Sequence, residues 1–443
     1  MKTSKMFTEL VLLVISLSII PLHTSADLSG SIGILTILLQ ISLFIFLLFR
    51  SGERSDAEKR LRRLSRGADM LALGGMAAVC ETAVYLVWFS NTAAGTAAKI
   101  GAAVIPLTAL FLYLAVAVIR VSVAARQLKI LDYVLLLLLW YIPIVDLFIL
   151  RKFYKTARRE YIFELSRSEL EQSRAVSQIC KTKYPIIMVH GIFFRDWQLV
   201  NYWGRIPATL IRNGAAIYYG RQQSAKSVCD SGAELRDTIM QVLAETGAEK
   251  VNIIAHSKGG LDSRYAISCL GMDKYVATLT TINTPHYGCD MVDYLLARVP
   301  DGMKNFIASR YNKIFSKLGD PSPDFMAGVN DLSAVRAKSY DSEMPDMPGV
   351  SYRSCMSLMS KATSAGFPLN IGYLLIKKLN GRNDGLVWEN SARRGESFKM
   401  VETAKKRGVS HGDIIDLMRE NIEGFDVREF YADIAAELKQ QGY

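Results

Sequence analysis

The 443-residue sequence has little charge and few histidines and cysteines. Charged residues make up only 21% of the chain and hydrophobic residues 50%, a balance that excludes a disordered protein. The six cysteines form no CxxC pair and have no histidine at metal-ligand spacing. We therefore expect mostly buried thiols and no metal or disulfide framework. Repeats and low-complexity tracts are absent.

The positive charge is concentrated in one part of the chain. Residues 1–159 hold 18 Lys/Arg and 9 Asp/Glu, whereas the remaining residues hold 35 and 33. A nucleic-acid-binding domain would need basic residues clustered on its folded surface, so we expect no nucleic-acid partner. The excess of basic residues instead predicts the loops of a membrane region.

Five apolar segments of about 20 residues, the length that crosses the hydrocarbon core, lie in the first third of the chain. They are 7–22, 31–49, 70–90, 100–119 and 133–150. The first is equally compatible with a cleaved signal peptide, because lysines precede it and Thr24-Ser-Ala26 follows it. The pattern predicts a multi-span region at 1–150, with about four to five hydrophobic helices in the cell membrane.

Two observations conflict over the side of the membrane that the rest of the chain occupies. The basic loop at 50–66 is expected on the cytoplasmic side. If all the apolar segments cross the membrane, five in total or four after cleavage of the first, everything after residue 150 lies outside. Five basic residues at 151–159 favour the cytoplasmic side instead, with 133–150 as a re-entrant or interfacial element. Residues 151–182 contain no glycine or proline and predict a basic, amphipathic linker helix. The sequence leaves the side open.

From Tyr184 onward, short apolar runs alternate with longer amphipathic ones, which is typical of an α/β fold. Buried strands are predicted at 186–189, 215–218, 251–255 and 276–282. Ala233–Thr246 has apolar residues at helical spacing and predicts a helix.

The strongest motif is Val251-Asn-Ile-Ile-Ala-His-Ser-Lys-Gly-Gly-Leu261. A β-branched strand leads into a small-x-Ser-x-Gly turn and then into a helix, which is typical of a nucleophile elbow with Ser257 exposed above the sheet. Ala255 and Gly259 are small because the turn brings the strand and helix backbones close together. Ala255 replaces the usual first glycine of this motif.

A second strand predicts donors for an oxyanion. It ends in His190-Gly191-Ile192, where the glycine lets the backbone bend so that the Ile192 N–H points at the developing charge. The Lys258 N–H, directly after the nucleophile, is the second predicted donor. We expect His190 to orient this loop and not to act as a base.

Only five histidines are available for the general base. His411 alone lies late in the chain on a loop before a helix, which is where the hydrolase order of Ser, acid and His requires it. Asp384, in a tight Asn-Asp-Gly turn predicted to follow a strand, is the candidate acid that would orient the imidazole. The alternatives are a helix-capping role for His411 and a simple turn role for Asp384.

The stretch from about Tyr184 to Gln440 resembles the bacterial triacylglycerol lipases of the α/β-hydrolase fold. The matching pieces are HGIFF (190–194), VNIIAHSKGGLDSRYA (251–266), INTPHYG (282–288), NDGLV (383–387) and SHGDII (410–415). The resemblance implies a mostly parallel sheet with helices on both faces over 183–443. It also implies ester hydrolysis through an acyl-enzyme and a helical lid at about 291–345. An inert helical insertion is the alternative to the lid.

The resemblance bears on cofactors and function as well. Several members of the family bind a structural calcium; Asp413 matches one ligand, but Ser351–Asn383 has no acid for another, so calcium is doubtful and no cofactor is expected. The leading hypothesis is a membrane-bound serine lipase or carboxylesterase acting on lipid esters through Ser257, Asp384 and His411. Acyl transfer by the same triad and a non-catalytic membrane-tethered module are the alternatives.

Overall fold

The computed structural model describes residues 2–28, 30–50, 58–174, 176–192, 201–317, 319–403 and 407–443. Phe193 and Phe194, part of the predicted HGIFF motif, lie outside these ranges. The chain divides into two compact units, Met1–Gln172 and Ser173–Tyr443. The division falls inside the stretch 151–182 that the sequence assigns to a linker.

The first unit is helical. Its helices are α1 (Lys2–Leu17), α2 (Ile19–Ser25), α3 (Gly30–Phe49), α4 (Lys59–Asn91), α5 (Thr96–Ala124), α6 (Ile130–Leu139) and α7 (Pro143–Arg174). Among the described residues, α3, α4 and α5 are long and apolar enough to cross a membrane. The pair α1–α2, bent by 73°, adds a fourth span if it is counted as one.

The fifth predicted segment, 133–150, is divided between two helices. The helix α6 ends at Leu139 and α7 begins at Pro143, so neither part supplies about 20 apolar residues. A proline is tolerated at the first turn of a helix, where its missing N–H costs no hydrogen bond. The helix α7 then continues through the predicted linker to Arg174.

Several buried charges in the first unit form ion pairs. The Glu9 carboxylate forms ion pairs with the guanidinium groups of Arg66 and Arg50, with N–O distances of 2.5 and 2.9 Å. Arg60 pairs with Glu160. An unpaired charge in an apolar helical bundle is costly, so these pairs join the helices that carry them.

The second unit is built on a six-stranded sheet in which every strand pair is parallel. The strands are β1 (Ile186–Val189), β2 (Ile217–Tyr219), β3 (Val251–His256), β4 (Val276–Ile282), β5 (Ser351–Ser357) and β6 (Ser397–Val401), in the order β2-β1-β3-β4-β5-β6. With the apolar helices that precede it, this sheet confirms the predicted fold class. The strand predictions near β1 to β4 are also confirmed, whereas β5 and β6 were not predicted.

Helices cover both faces of the sheet. The helices of this unit are α8 (Ile206–Arg212), α9 (Val228–Thr246), α10 (Lys258–Cys269), α11 (Asp290–Arg298), α12 (Asp301–Lys317), α13 (Phe325–Asn330), α14 (Ala334–Ala337), α15 (Tyr340–Glu343), α16 (Leu369–Leu379) and α17 (Val427–Gln440). Alternate β1 side chains divide between two cores, because successive residues of a strand point to opposite faces. Met188 packs with Leu210 and Tyr431, and Ile187 packs with Ile239.

The helices α11 to α15 form an insertion between β4 and β5, where the sequence predicts the lid. Its two ends differ in packing. The helix α11 buries no residue and α12 buries only Ala308 and Phe315. By contrast, the buried Arg264 of α10 donates to the carbonyl oxygens of Tyr340 and Met344, so the α15 end is fixed to the sheet domain.

The cysteine prediction is only half right. All six cysteines are free; Cys180, Cys289 and Cys355 are buried, whereas Cys229 and Cys269 are exposed. The exposed Cys229 thiol lies 3.0 Å from the Tyr265 hydroxyl on the outside of α10.

Candidate active site

Ser257 occupies the turn between β3 and α10 in a strained conformation. Its φ of +55° and ψ of −131° are rare for a residue with a side chain. A Cβ at Gly259 would lie 2.4 Å from the His190 carbonyl oxygen, so only glycine lets α10 start this close to β1. The turn has the backbone of a nucleophile elbow, as the motif predicts.

The loop after β1 lies directly against this turn. A Cβ at Gly191 would approach the Ser257 Cβ to 2.8 Å, so the loop that carries the Ile192 N–H passes within van der Waals distance of the nucleophile. The Lys258 N–H is in the first turn of α10, where helix N–H groups have no intrahelical acceptor. Both predicted oxyanion donors therefore belong to backbone that flanks Ser257.

The Lys258 side chain is bonded to other side chains of the domain. Its ammonium donates to the Asp262 carboxylate at 2.7 Å and to the Ser231 hydroxyl at 2.9 Å, and the side chain is buried. Only the backbone of Lys258 is thus available to a substrate.

Asp384 and His411 form the acid–imidazole pair that the sequence predicts. The His411 Nδ1 lies 2.6 Å from the Asp384 Oδ2, and the His411 backbone N–H donates to the Asp384 carbonyl at 2.9 Å. The other carboxylate oxygen accepts the backbone N–H groups of Leu386 and Val387, at 2.8 and 2.7 Å. Asp384 is fully buried, so these donors replace the water that an ionised carboxylate needs.

Asp384 does not follow a strand, which corrects the sequence prediction. The helix α16 precedes it, and only the isolated bridge between Asn383 and Trp388 frames the turn. The apolar residues before position 381 belong to the buried and exposed faces of that helix.

Asn283, which the sequence analysis did not single out, is a further contact of the acid. It lies at the end of β4 with φ of +49°, and its amide donates to the Asp384 carboxylate and to the Ser357 hydroxyl. An asparagine that ends a central strand next to a Thr-Pro-His turn is the signal that could have identified it.

His256 and Tyr202 form a second unpredicted contact beneath the site. The Tyr202 hydroxyl accepts the Gly191 N–H at 3.0 Å and lies 2.6 Å from the His256 Nδ1. The Tyr202 hydroxyl thus joins the Gly191 backbone to the His256 ring. The His256 ring packs on the His411 ring, with centroids 4.4 Å apart. Burial, together with His411, lowers the pKa of His256 well below its ordinary value.

The two other histidines of this unit have supporting roles. The His190 ring lies between the Gly191 and Gln222 carbonyl oxygens, at 2.9 Å from each, as expected of a residue that orients the loop. His286 is buried and bonds to the Thr281 hydroxyl at 3.0 Å. Ser257 and His411 are only 6% and 7% exposed, so the candidate site is covered in this conformation.

The residues near Asp413 do not fit a calcium ion. One Asp413 oxygen accepts the backbone N–H and the hydroxyl of Ser410, and the other accepts the Arg407 guanidinium at 3.0 Å. A guanidinium at this distance repels a second cation. Among the described residues, no group of three or more His, Cys, Asp or Glu side chains could hold a metal.

The parallel sheet and the strand–nucleophile turn–helix arrangement define the second unit as an α/β-hydrolase domain. Residues 183–285 match the family model of the class 2 lipases. The chain is 32% identical over 204 residues to a triacylglycerol lipase of Burkholderia plantarii, covering 43% of this chain and 56% of that protein. It is 32% identical over 197 residues to one of Pseudarthrobacter phenanthrenivorans, covering 42% and 61%.

These matches confirm the predicted resemblance to bacterial triacylglycerol lipases. The chain spans somewhat more than half the length of these two relatives. Among solved structures, a Bacillus licheniformis lipase in mature form aligns with a TM-score of 0.40 at 23% identity, covering 53% of this chain and 87% of that one. The helices α1 to α7 lie outside the family match.

Proposed function

We propose that this protein is a membrane-bound serine hydrolase that cleaves acyl esters of lipids. The observation that carries the proposal is the buried Asp384–His411 pair, whose imidazole packs on the residue preceding the strained Ser257. Similarity to triacylglycerol lipases supports an ester substrate. Three apolar helices of spanning length support attachment to a membrane.

The proposed reaction has two halves. The Ser257 hydroxyl oxygen attacks the ester carbonyl while the His411 Nε2 takes its proton, and the Asp384 carboxylate stabilises the imidazolium. The Ile192 and Lys258 N–H groups stabilise the charge on the carbonyl oxygen. The imidazolium then protonates the departing alcohol, which leaves an acyl-Ser257 ester. Water, deprotonated by His411, attacks that ester. The imidazolium then returns the proton to the Ser257 oxygen as the bond to the acyl group breaks and the fatty acid leaves.

Catalytic labelling of membranes that contain the full chain tests this proposal. A fluorophosphonate probe should label the wild-type chain and fail to label Ser257→Ala, because the probe bonds to an activated serine oxygen. Hydrolysis of nitrophenyl acyl esters should fall in parallel, to the roughly 10³-fold rate over water that an oxyanion hole alone sustains.

Ser268→Ala is the matched control, since this serine is on the outer side of the same helix and bonds to the Pro345 carbonyl. It should label and turn over as the wild type does. Labelling that survives in Ser257→Ala, or normal turnover by that variant, contradicts the proposed nucleophile.

A further inference from the structure

The helix α16 exposes an apolar face outside the insertion that the sequence predicts as a lid. Ile371 is 57% exposed and Leu374 is 59% exposed, and Phe367, just before the helix, is 80% exposed. The opposite side of the helix is buried through Gly372, Tyr373 and Ile376. At 100° per residue, positions 371, 374 and 378 lie on one side of the helix, and Phe367 adds an exposed apolar side chain just before it.

This stripe lies on an element that packs against the candidate active site. A Cβ at Gly372 would lie 2.1 Å from the Gly385 carbonyl oxygen, which places α16 in direct contact with the turn that carries Asp384. The Asn380 amide at the end of α16 donates to Asp290 at 2.7 Å, and so joins α16 to the first helix of the insertion. The helix therefore borders the site through the turn that carries Asp384.

The segment of the chain that contains α16 carries basic residues and no acidic ones. Residues 351–383 contain five basic residues and no Asp or Glu. Lys377 and Lys378, in the last turn of α16, are exposed, and Lys378 continues the stripe of Ile371 and Leu374. A stripe of apolar side chains that is followed by exposed lysines is suited to a membrane–water interface. The apolar side chains enter the acyl region, and the lysine ammonium groups contact anionic headgroups.

We infer that one exposed surface of α16 docks on the bilayer that holds the same chain and prefers anionic lipid. This α16 surface consists of Phe367, Ile371, Leu374, Lys377 and Lys378. The inference rests on the proposed membrane-bound ester hydrolase. The bilayer is the occupant we choose because α7 connects this unit covalently to helices of spanning length, and because the basic charge complements anionic headgroups. Docking would hold the mouth of the site at the depth where lipid esters lie.

Two double variants of the full chain test the two parts of this surface. In I371Q/L374Q the apolar stripe becomes polar, and in K377Q/K378Q the charge is removed. Each protein is reconstituted in vesicles of phosphatidylcholine alone or with phosphatidylglycerol. Hydrolysis is measured on a diacylglycerol ester within the bilayer and on a water-soluble nitrophenyl butyrate.

Matched controls remove the same side-chain types elsewhere. I211Q/M240Q replaces two exposed apolar residues on α8 and α9, and K250Q/K274Q replaces lysines that precede β3 and β4. The second pair lies at the end of the sheet opposite to Ser257, because the site is at the carboxyl ends of the parallel strands. Both controls should match the wild type on both esters.

We expect I371Q/L374Q to lose about tenfold or more of the activity on the bilayer ester in both kinds of vesicle. K377Q/K378Q should lose about fivefold or more of it, and only where phosphatidylglycerol is present. Activity on nitrophenyl butyrate should remain within about twofold of the wild type, since neither pair contacts the reacting atoms. If the ratio of the activity on the bilayer ester to the activity on nitrophenyl butyrate is the same in the variants as in the wild type, the inference is overturned. If the wild type hydrolyses neither ester, the proposed function is overturned.

A photo-crosslinking residue at position 371 identifies the occupant. Cross-links to labelled lipid in the vesicles support the inference. Covalent dimers in place of lipid adducts would show that a second copy of the chain covers the α16 surface, and would overturn it.

Discussion

The Tyr202 hydroxyl joins the loop that carries Ile192 to the ring beneath His411, through Gly191 and His256. Tyr202→Phe keeps the ring packing but leaves one buried N–H and one buried ring nitrogen without that partner, at a cost of about 1–3 kcal/mol. Because the lost bonds position the oxyanion donor and the base, we expect kcat to fall about tenfold or more with KM nearly unchanged. Steady-state hydrolysis of a soluble ester measures both constants.

Tyr431→Phe provides the comparison. Tyr431 is also buried near Trp203, and its hydroxyl has no hydrogen-bond partner in the described part of the chain. That variant should keep the wild-type kcat. If Tyr202→Phe lowers only the melting temperature and leaves kcat intact, Tyr202 is a packing residue and not a positioning residue.

His286 gives the second unit a pH-dependent stability. Burial, together with Arg264 and Arg394, lowers its pKa well below the ordinary value, so the ring stays neutral in the folded protein. In the unfolded chain it takes up a proton below about pH 6.5. The unfolded state therefore binds more protons in acid, and stability that is present above that pH is lost as the pH falls, by up to about 1.4 kcal/mol per pH unit.

Removal of this histidine should flatten that dependence. We expect the melting temperature of His286→Gln to fall less between pH 7 and pH 5 than that of the wild type, as followed by thermal unfolding of the full chain in detergent. An equal fall in both proteins would show that His286 does not take up a proton on unfolding in this range.

At the scale of elements, an arginine fixes the loop that carries His411. Arg407 donates to Asp413 at 3.0 Å and to the Ser364 carbonyl at 3.0 Å, and pairs with Glu420 at 2.9 Å. The guanidinium holds three partners at once, which the single ammonium of a lysine does not reproduce. The Arg407 guanidinium thus joins the loop before His411 to the segment after β5.

Arg407→Gln should therefore lower both the melting temperature and kcat, by an amount corresponding to about 1–3 kcal/mol of lost charged hydrogen bonds. Arg407→Lys should recover only part of either. We expect EDTA to leave wild-type turnover unchanged and added calcium to rescue neither variant. A wild-type enzyme that loses activity in EDTA and regains it with calcium contradicts this role for Arg407.

The insertion also behaves as two elements in packing. The α11–α12 part buries almost nothing, whereas α15 is held by the buried Arg264. If the insertion opens as a lid, we therefore expect α11 and α12 to be the moving part.

On the scale of the whole molecule, the helix lengths bear on the side of the membrane that the second unit occupies. With α3, α4 and α5 as spans and the basic 50–66 loop inside, the chain after α5 is also inside. Since α6 has only ten residues, it need not cross, and the basic residues 151–159 of α7 would then lie on the cytoplasmic side. Six free cysteines are compatible with that reducing compartment.

We therefore predict that an external protease leaves the second unit whole in intact cells and degrades it after the membrane is permeabilised. Immunoblotting with an antibody to the C-terminal helix measures both outcomes, with a known cytoplasmic protein as the control for sealed cells. Degradation in intact cells would show that the chain crosses once more between α5 and α7.

The sequence by itself was sufficient for features that depend on local chemistry. The strand–turn–helix around Ser257 is encoded by β-branched residues followed by small ones, and the scarcity of histidine left His411 as the one candidate base. Apolar length predicted α3, α4 and α5 directly. The start of α9 was missed by five residues, because the capping bond of Ser227 to the Asp230 N–H is a local signal that hydrophobic periodicity does not contain.

Only the tertiary structure decided features that depend on distant segments. Asn283 on Asp384, Tyr202 on His256 and Arg407 on Glu420 are contacts between residues far apart or on separate loops, which no spacing pattern records. The exposed face of α16 had the same origin. A run of apolar residues has the same sequence pattern whether its side chains face lipid, water or a protein core. Only the packing of neighbouring elements distinguishes these environments.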